Sequence, residues 1–248
     1  AARYGTPLYV YSAGTLKAHY DRFRAAFAEL EPVICFSIKC CSNVHILRRL
    51  AAWGSGFDVV SGGELYRALQ AGADPATIVF AGVGKTEAEM REALLAGVGL
   101  LNVESESELA ELADVARALG TTADAAVRLN PDVDARTHLY TTTGTKENKF
   151  GVGREPAREM FRAYGSLSSV RLRGLHLHIG SPVHDVQPYI AAIGRALELI
   201  ETLRRDGCDV DTLDIGGGYG AHYAGSEAPS ADVYAAAIVP LLRGRGLR

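Results

Sequence analysis

Cysteine is scarce: the 248 residues hold only Cys35, Cys40, Cys41 and Cys208. Two of them are adjacent, which suits neither a disulfide framework nor a spaced zinc set, so no metal is expected. Reduced thiols in a cytoplasmic protein are the plain reading. Charge of one sign is also lacking, with 26 Lys and Arg against 29 Asp and Glu. That balance leaves no electrostatic footprint for nucleic acid or an anionic membrane. No unbroken apolar run of about 18 residues occurs, so no membrane span is expected. The opening "AARYGTPLYVY" has no basic region leading into an apolar core, and does not read as a signal peptide. One near-motif fails. "GVGKT", Gly82 to Thr86, resembles a phosphate-binding P-loop, but Val79 stands where that loop needs its first glycine.

What is present is a long alternation. From Val33 onward, β-branched runs alternate with helix-like runs. The strands read are "VICFSIK", "FDVVS", "TIVFAG", "LLNVES", "AAVRLN", "VRLRGLHLHIG" and "DTLDIGGG". The helical runs "ELYRALQAG" and "EAEMREALLAG" each end on glycine, the usual left-handed helix stop. Between Ile190 and Arg205, Ile190, Ile193, Leu197 and Ile200 share a face, and Glu201 and Arg205 are spaced for an ion pair. A last helix lies in "SADVYAAAIVPLLRG". Such alternation means a parallel sheet. A chain of this size buries roughly 70–75% of its unfolded surface, enough for a large core. The repeat and the missing dinucleotide fingerprint favour a (β/α)8 barrel cut before its eighth strand, with a doubly wound open sheet as the alternative. Residues 1–30, the strand "PLYVY" and a helix, stand outside the repeat, and residues 31–248 form the barrel. The polar connection from Pro131 to Phe150 is long enough to be functional.

Side chains alternate across a strand. Ile34, Phe36 and Ile38 therefore meet the helices, while Cys35, Ser37 and Lys39 face inward. The same division sets Arg128 and Asn130 against Val127 and Leu129. It sets His176 and His178 against Leu175, Leu177 and Ile179, and Thr212 and Asp214 against Leu213 and Ile215. Asp58 sits between Phe57 and Val59. Taken singly, Lys39 is a solvated strand end, each histidine a hydrogen-bonded core residue, and Arg128 a structural partner of Asp58 or Asp214. Together they aim charge at the C-terminal rim, where barrel enzymes keep their chemistry and where burial without a ligand is costly. Gly216, Gly217 and Gly218 follow the last strand, and their N–H groups can approach an anion closely. Ser181 can add a hydroxyl. An inward lysine is partly desolvated, hence nucleophilic, and suited to carbonyl chemistry. A lysine aldolase and a pyridoxal phosphate enzyme both use that step; a glycine phosphate loop and a histidine face for a flat ring favour the second.

The stretches "TPLYVY", "FSIKCCSN", "GFDVVSGGEL", "RLNPDVDARTHLYTTTG", "NKFG", "GLHLHIGS" and "DIGGGYG" occur in one order across the chain. In these the sequence resembles the barrel part of the alanine-racemase-like, fold type III pyridoxal phosphate decarboxylases, and most of all the branch acting on diaminopimelate. The resemblance implies a pyridoxal 5'-phosphate cofactor held by Lys39, with His178 stacked on its ring. Ser181 and Gly216, Gly217 and Gly218 would hold the phosphate. Arg128 would lie near the ring hydroxyl, Asp58 near the lysine linkage, and Lys149 near a subunit interface. The implied activity is decarboxylation of meso-diaminopimelate to L-lysine and CO2 in lysine biosynthesis, by a cytoplasmic enzyme that is a homodimer when full length. Decarboxylation of another basic amino acid, or a barrel that holds the cofactor without turnover, are the alternatives. Two departures stand out. Cys40 and Cys41 replace the family's usual Ala-Asn. The family's later "EPGR"-like glutamate, substrate tyrosine and β-domain, to which "PLYVY" belongs, fall beyond Arg248.

Overall fold

Seven short strands pair in parallel in chain order, β1 Cys35–Ser37, β2 Gly56–Val59, β3 Ile78–Phe80, β4 Leu100–Val103, β5 Ala123–Arg128, β6 Val170–His176 and β7 Thr212–Asp214. The computed structural model describes residues 1–133, 150–221 and 227–248. The eight helices are α1 Ala13–Ala26, α2 Val44–Ala52, α3 Gly62–Gln70, α4 Glu87–Ala96, α5 Glu106–Leu119, α6 Arg154–Tyr164, α7 Gln187–Arg205 and α8 Ala231–Leu242 among the described residues.

The registers follow the period-two pattern. Ser37 lies beside Asp58, and Arg128 and Asp214 both flank His176. Phe57, Val59, Ile78, Phe80, Leu101, Val103, Val127 and Leu175 are fully buried, as expected of strands covered by helices. The sheet curls so far that Asn102 on β4 donates to Asp214 on β7 at 2.9 Å. An open doubly wound sheet does not bring those strands together across one face, so the barrel reading holds.

Local signals explain the helix ends. Thr86 and Glu89 form a reciprocal capping box at the start of α4. Gly97 and Gly120 close α4 and α5 in the left-handed conformation. The apolar face of α7 is buried through Ile193, Leu197 and Ile200. Its wet side differs from expectation: Arg205 turns back to the Glu201 carbonyl, while the Glu201 carboxylate takes Arg245 at 3.1 Å.

Two further differences concern the ends of the repeat. Helix α1 packs against both α8 and α2, so it fills a place in the ring of helices instead of standing outside it. Phe23 on α1 and Phe27, which caps it, reach Tyr219 at 5.0 and 6.3 Å. Residues 7–11 pair with no strand among the described residues, and Tyr9 and Val10 are exposed. At the other end, Arg248 lies beside β7, donating to Asp211, just before the strand, at 2.7 Å and accepting from Leu213 at 3.1 Å.

Candidate active site

β1 ends at Ser37, and Lys39 stands on a single 3-10 turn, Ile38–Cys40, that carries the chain over the rim. The strand is thus shorter than the sequence suggests. The lysine is also open: its side chain is 58% exposed, not desolvated as expected. Its Nζ lies 3.8 Å from Asp58 Oδ2, the oxygen that accepts the Ser37 hydroxyl at 2.7 Å. Burial pushes the Asp58 carboxyl above its usual range, against the opposing pulls of Lys39 and Ser37. Cys35 faces inward too, where burial, Asp214 and Asp58 raise its thiol. Cys40, beside the lysine, is exposed.

The glycine loop is held from below. Asp214, ending β7, accepts the Gly216 N–H at 2.8 Å on one oxygen and Asn102 on the other. Gly216 (φ 71°) and Gly218 (φ 83°) must lack side chains, because a Cβ would come within 2.2 Å of the Leu177 oxygen and 2.0 Å of the Gly180 oxygen. A Cβ on Gly217 would meet nothing within 4 Å. Among the described residues the N–H groups of Gly217 and Gly218 have no acceptor, whereas that of Gly216 is taken by Asp214. The Tyr189 hydroxyl donates to the Gly217 oxygen at 2.8 Å, which fixes the loop from outside. Ser181, on the neighbouring turn, is exposed.

The two histidines differ in depth. His176 closes β6 with its Nδ1 buried and without a partner among the described residues. His178 lies beyond the strand, and its ring comes within 3.2 and 3.4 Å of Cβ positions built on Gly216 and Gly218. Burial, aided by the nearby Arg128 charge, pushes the His178 pKa down to about 3 and that of His176 well below normal. Both imidazoles are therefore neutral near pH 7.

Arg128 finds neither Asp58 nor Asp214 as its direct partner. Its Nη1 donates to Glu104 at 2.7 Å, and the Phe150 ring lies 4.9 Å from its guanidinium carbon. Glu104 and Asn102 are the residues the sequence reading above leaves out. The alternation Leu101–Asn102–Val103–Glu104 carries the signal, since it puts two polar groups on the inward side of β4. Lys85 belongs to no anion loop. Its ammonium is fully buried and donates to Gly82 O, Asn102 O and Glu108 at 2.7, 2.8 and 2.5 Å. Lys149 and the stretch "THLYTTTG" lie outside the described residues.

The arrangement thus brings together an open amine beside a carboxyl, a neutral imidazole face, a guanidinium, and backbone donors without acceptors. That set fits pyridoxal 5'-phosphate, which needs an amine for its aldehyde, a flat surface for its ring and an anion cradle for its phosphate.

Comparison with known proteins agrees. Residues 13–245 match the family described as "Pyridoxal-dependent decarboxylase, pyridoxal binding domain". Among curated relatives, the diaminopimelate decarboxylase of Neisseria meningitidis serogroup A is 44% identical over 248 residues, covering 100% of this chain and 61% of the relative. That of Vibrio cholerae is 46% identical over 242 residues, covering 98% and 58%. The crystal structure of diaminopimelate decarboxylase from Helicobacter pylori complexed with L-lysine superposes with a TM-score of 0.96 at 39% identity, covering 99% of this chain and 62% of that one. The chain thus spans about three-fifths of the length of these relatives.

Proposed function

We propose, on the premise that this chain belongs to the pyridoxal-dependent decarboxylases as their pyridoxal-binding domain, that the protein containing it converts meso-diaminopimelate to L-lysine and CO2. The observation that carries this reading is the convergence of Lys39, Asp58, His178 and the Gly217–Gly218 donors on one rim. The names of the three relatives above, each a diaminopimelate decarboxylase at 39–46% identity, support the substrate.

In this reading pyridoxal 5'-phosphate is the cofactor, and when bound it supplies the sink for the electron pair left as CO2 departs. Lys39 would be the amine that holds its aldehyde, and its 58% exposure leaves it open to the substrate side. Asp58, held by the Ser37 hydroxyl, would orient that amine through the ion pair at 3.8 Å. The neutral His178 ring would offer the cofactor a flat face, since an uncharged imidazole adds no repulsion to a cationic ring. The N–H groups of Gly217 and Gly218 hold the phosphate, with the Ser181 hydroxyl beside them. Gly216 contributes through its turn, with its N–H on Asp214. Arg128 would serve the ring hydroxyl. We divide the chain into residues 1–30, an N-terminal segment, and 31–248, the cofactor barrel. Four free thiols and the absence of a membrane-crossing helix among the described residues support a cytoplasmic setting. The full-length protein is read as a homodimer.

The test is CO2 release by the full-length protein from meso-diaminopimelate, L-lysine and L-ornithine, with borohydride reduction and peptide mapping alongside. We expect preference for meso-diaminopimelate and the label on Lys39. A label on Lys85 or Lys149 with Lys39→Ala still loading normally would sink the lysine assignment. Preference for L-lysine or L-ornithine would make the protein a decarboxylase of another basic amino acid.

A further inference from the structure

Inside the barrel, Arg128 and Glu104 form an ion pair almost without water. Their side chains are 8% and 3% exposed. The pair is held by one oxygen, Oε1, while Glu104 Oε2 is buried with no partner among the described residues. Glu104 is itself fixed from behind. Its N–H donates to Glu108 Oε2 at 3.0 Å, and Glu108 accepts the buried Lys85 ammonium. A pair buried this way is a weak source of stability, because removing two charges from water offsets most of their attraction. Its clearer physical effect is on the field around Arg128, in a medium where charges are poorly screened.

The other groups coupled to Arg128 come from three elements: Asp58 on β2, His176 and His178 on and just after β6, and Asp214 on β7. Asp58 is already engaged by Ser37 and Lys39, and Asp214 by Asn102 and Gly216. Glu104 is therefore the carboxylate in direct contact with the guanidinium.

We propose that Glu104 is a positioning residue for the decarboxylation, holding Arg128 toward the ring oxygen of pyridoxal 5'-phosphate and offsetting part of its charge there. The role presupposes the pyridoxal phosphate reading above. In it, the cofactor would meet a fixed hydrogen-bond donor whose positive field Glu104 partly offsets. Without Glu104 it would meet an unopposed cation, which disfavours every protonated form nearby and lowers the pH at which the bound cofactor loses a proton.

The experiment is an absorbance titration of the cofactor-loaded, full-length protein against pH, with matched variants. Glu104→Gln keeps an acceptor for Arg128 and removes the charge, so the midpoint should fall by about one pH unit. Glu104→Asp should restore the parent midpoint. Arg128→Gln, which leaves the carboxylate unopposed, should move it upward, and this arm decides the matter if Glu104→Gln does not fold. Glu104→Ala should add roughly tenfold weaker cofactor binding through loss of the tether. A merely structural glutamate would change stability and leave the midpoint in place. A parent that loads normally while Glu104→Gln and Arg128→Gln titrate as it does overturns the role of Glu104 alone. So does a loaded parent and variant whose bands stay fixed between roughly pH 6 and 10. A parent that takes up no pyridoxal phosphate overturns the cofactor reading, and this role with it.

Discussion

Gly216, Gly217 and Gly218 look alike in sequence and do different work. Gly216 and Gly218 have positive φ, and added Cβ atoms would strike backbone oxygens at 2.2 and 2.0 Å. Gly217 faces open space and offers an N–H without an acceptor among the described residues. Gly216→Ala is therefore expected to destabilise the loop by about 1–3 kcal/mol, since a carbonyl must move and the backbone is strained. Gly217→Val should keep the parent's stability and weaken pyridoxal phosphate binding at least about tenfold, by keeping the phosphate off the backbone. Urea unfolding and cofactor titration separate the two effects. If Gly217→Val binds cofactor as tightly as the parent, the phosphate is held elsewhere.

The β3–α4 turn and β4 are locked together by one lysine. Lys85 leaves the turn, passes under Gly82 and Asn102, and ends on Glu108 in the first turn of α5. Burial raises the Glu108 carboxyl, and the charge and hydrogen bond of Lys85 pull it down. Lys85→Met would leave the buried Glu108 carboxylate without its countercharge and take a donor from two carbonyls, so a loss of about 3–5 kcal/mol is expected. Adding Glu108→Leu should recover much of it, because two apolar side chains replace two desolvated charges. Denaturant midpoints of the single and double variants measure this. A loss below about 1 kcal/mol for Lys85→Met would mean that the pair is a solvated contact.

At the scale of the molecule, the helices form a ring while the strands leave β1 and β7 as sheet edges. The two bonds from Arg248 cover only a short part of β7. Open edges invite misassociation. The resemblance also implies a later glutamate for the pyridine nitrogen and a β-domain that closes the site. A 248-residue chain produced alone is therefore expected to self-associate and to bind cofactor weakly. Its turnover of meso-diaminopimelate should fall roughly a thousandfold below that of the longer protein, for about 4 kcal/mol of lost transition-state stabilisation. Sedimentation and CO2 release on samples of verified mass decide this. Full activity in the short chain would mean that groups within it replace the glutamate.

Strand order, barrel class and the inward set Ser37, Asp58, Arg128, His176 and Asp214 were legible because a strand has a strict period of two and parallel strands need helical crossovers. The helix stops were legible because Gly97 and Gly120 serve a backbone conformation other residues resist. Pairings across the barrel were not. That Arg128 meets Glu104, and that Asn102 spans to Asp214, depends on how far the sheet curls, which no local pattern encodes. The exposure of Lys39 follows from the chain leaving β1 after Ser37 into a 3-10 turn, a choice of two residues that the apolar pattern does not resolve. The place of α1 in the ring was likewise hidden, because its site is made by α2 and α8, more than two hundred residues apart along the chain for one of them. Alternation and backbone chemistry act locally and were written in the sequence; which charges meet in a low-dielectric interior was decided only when the sheet curled.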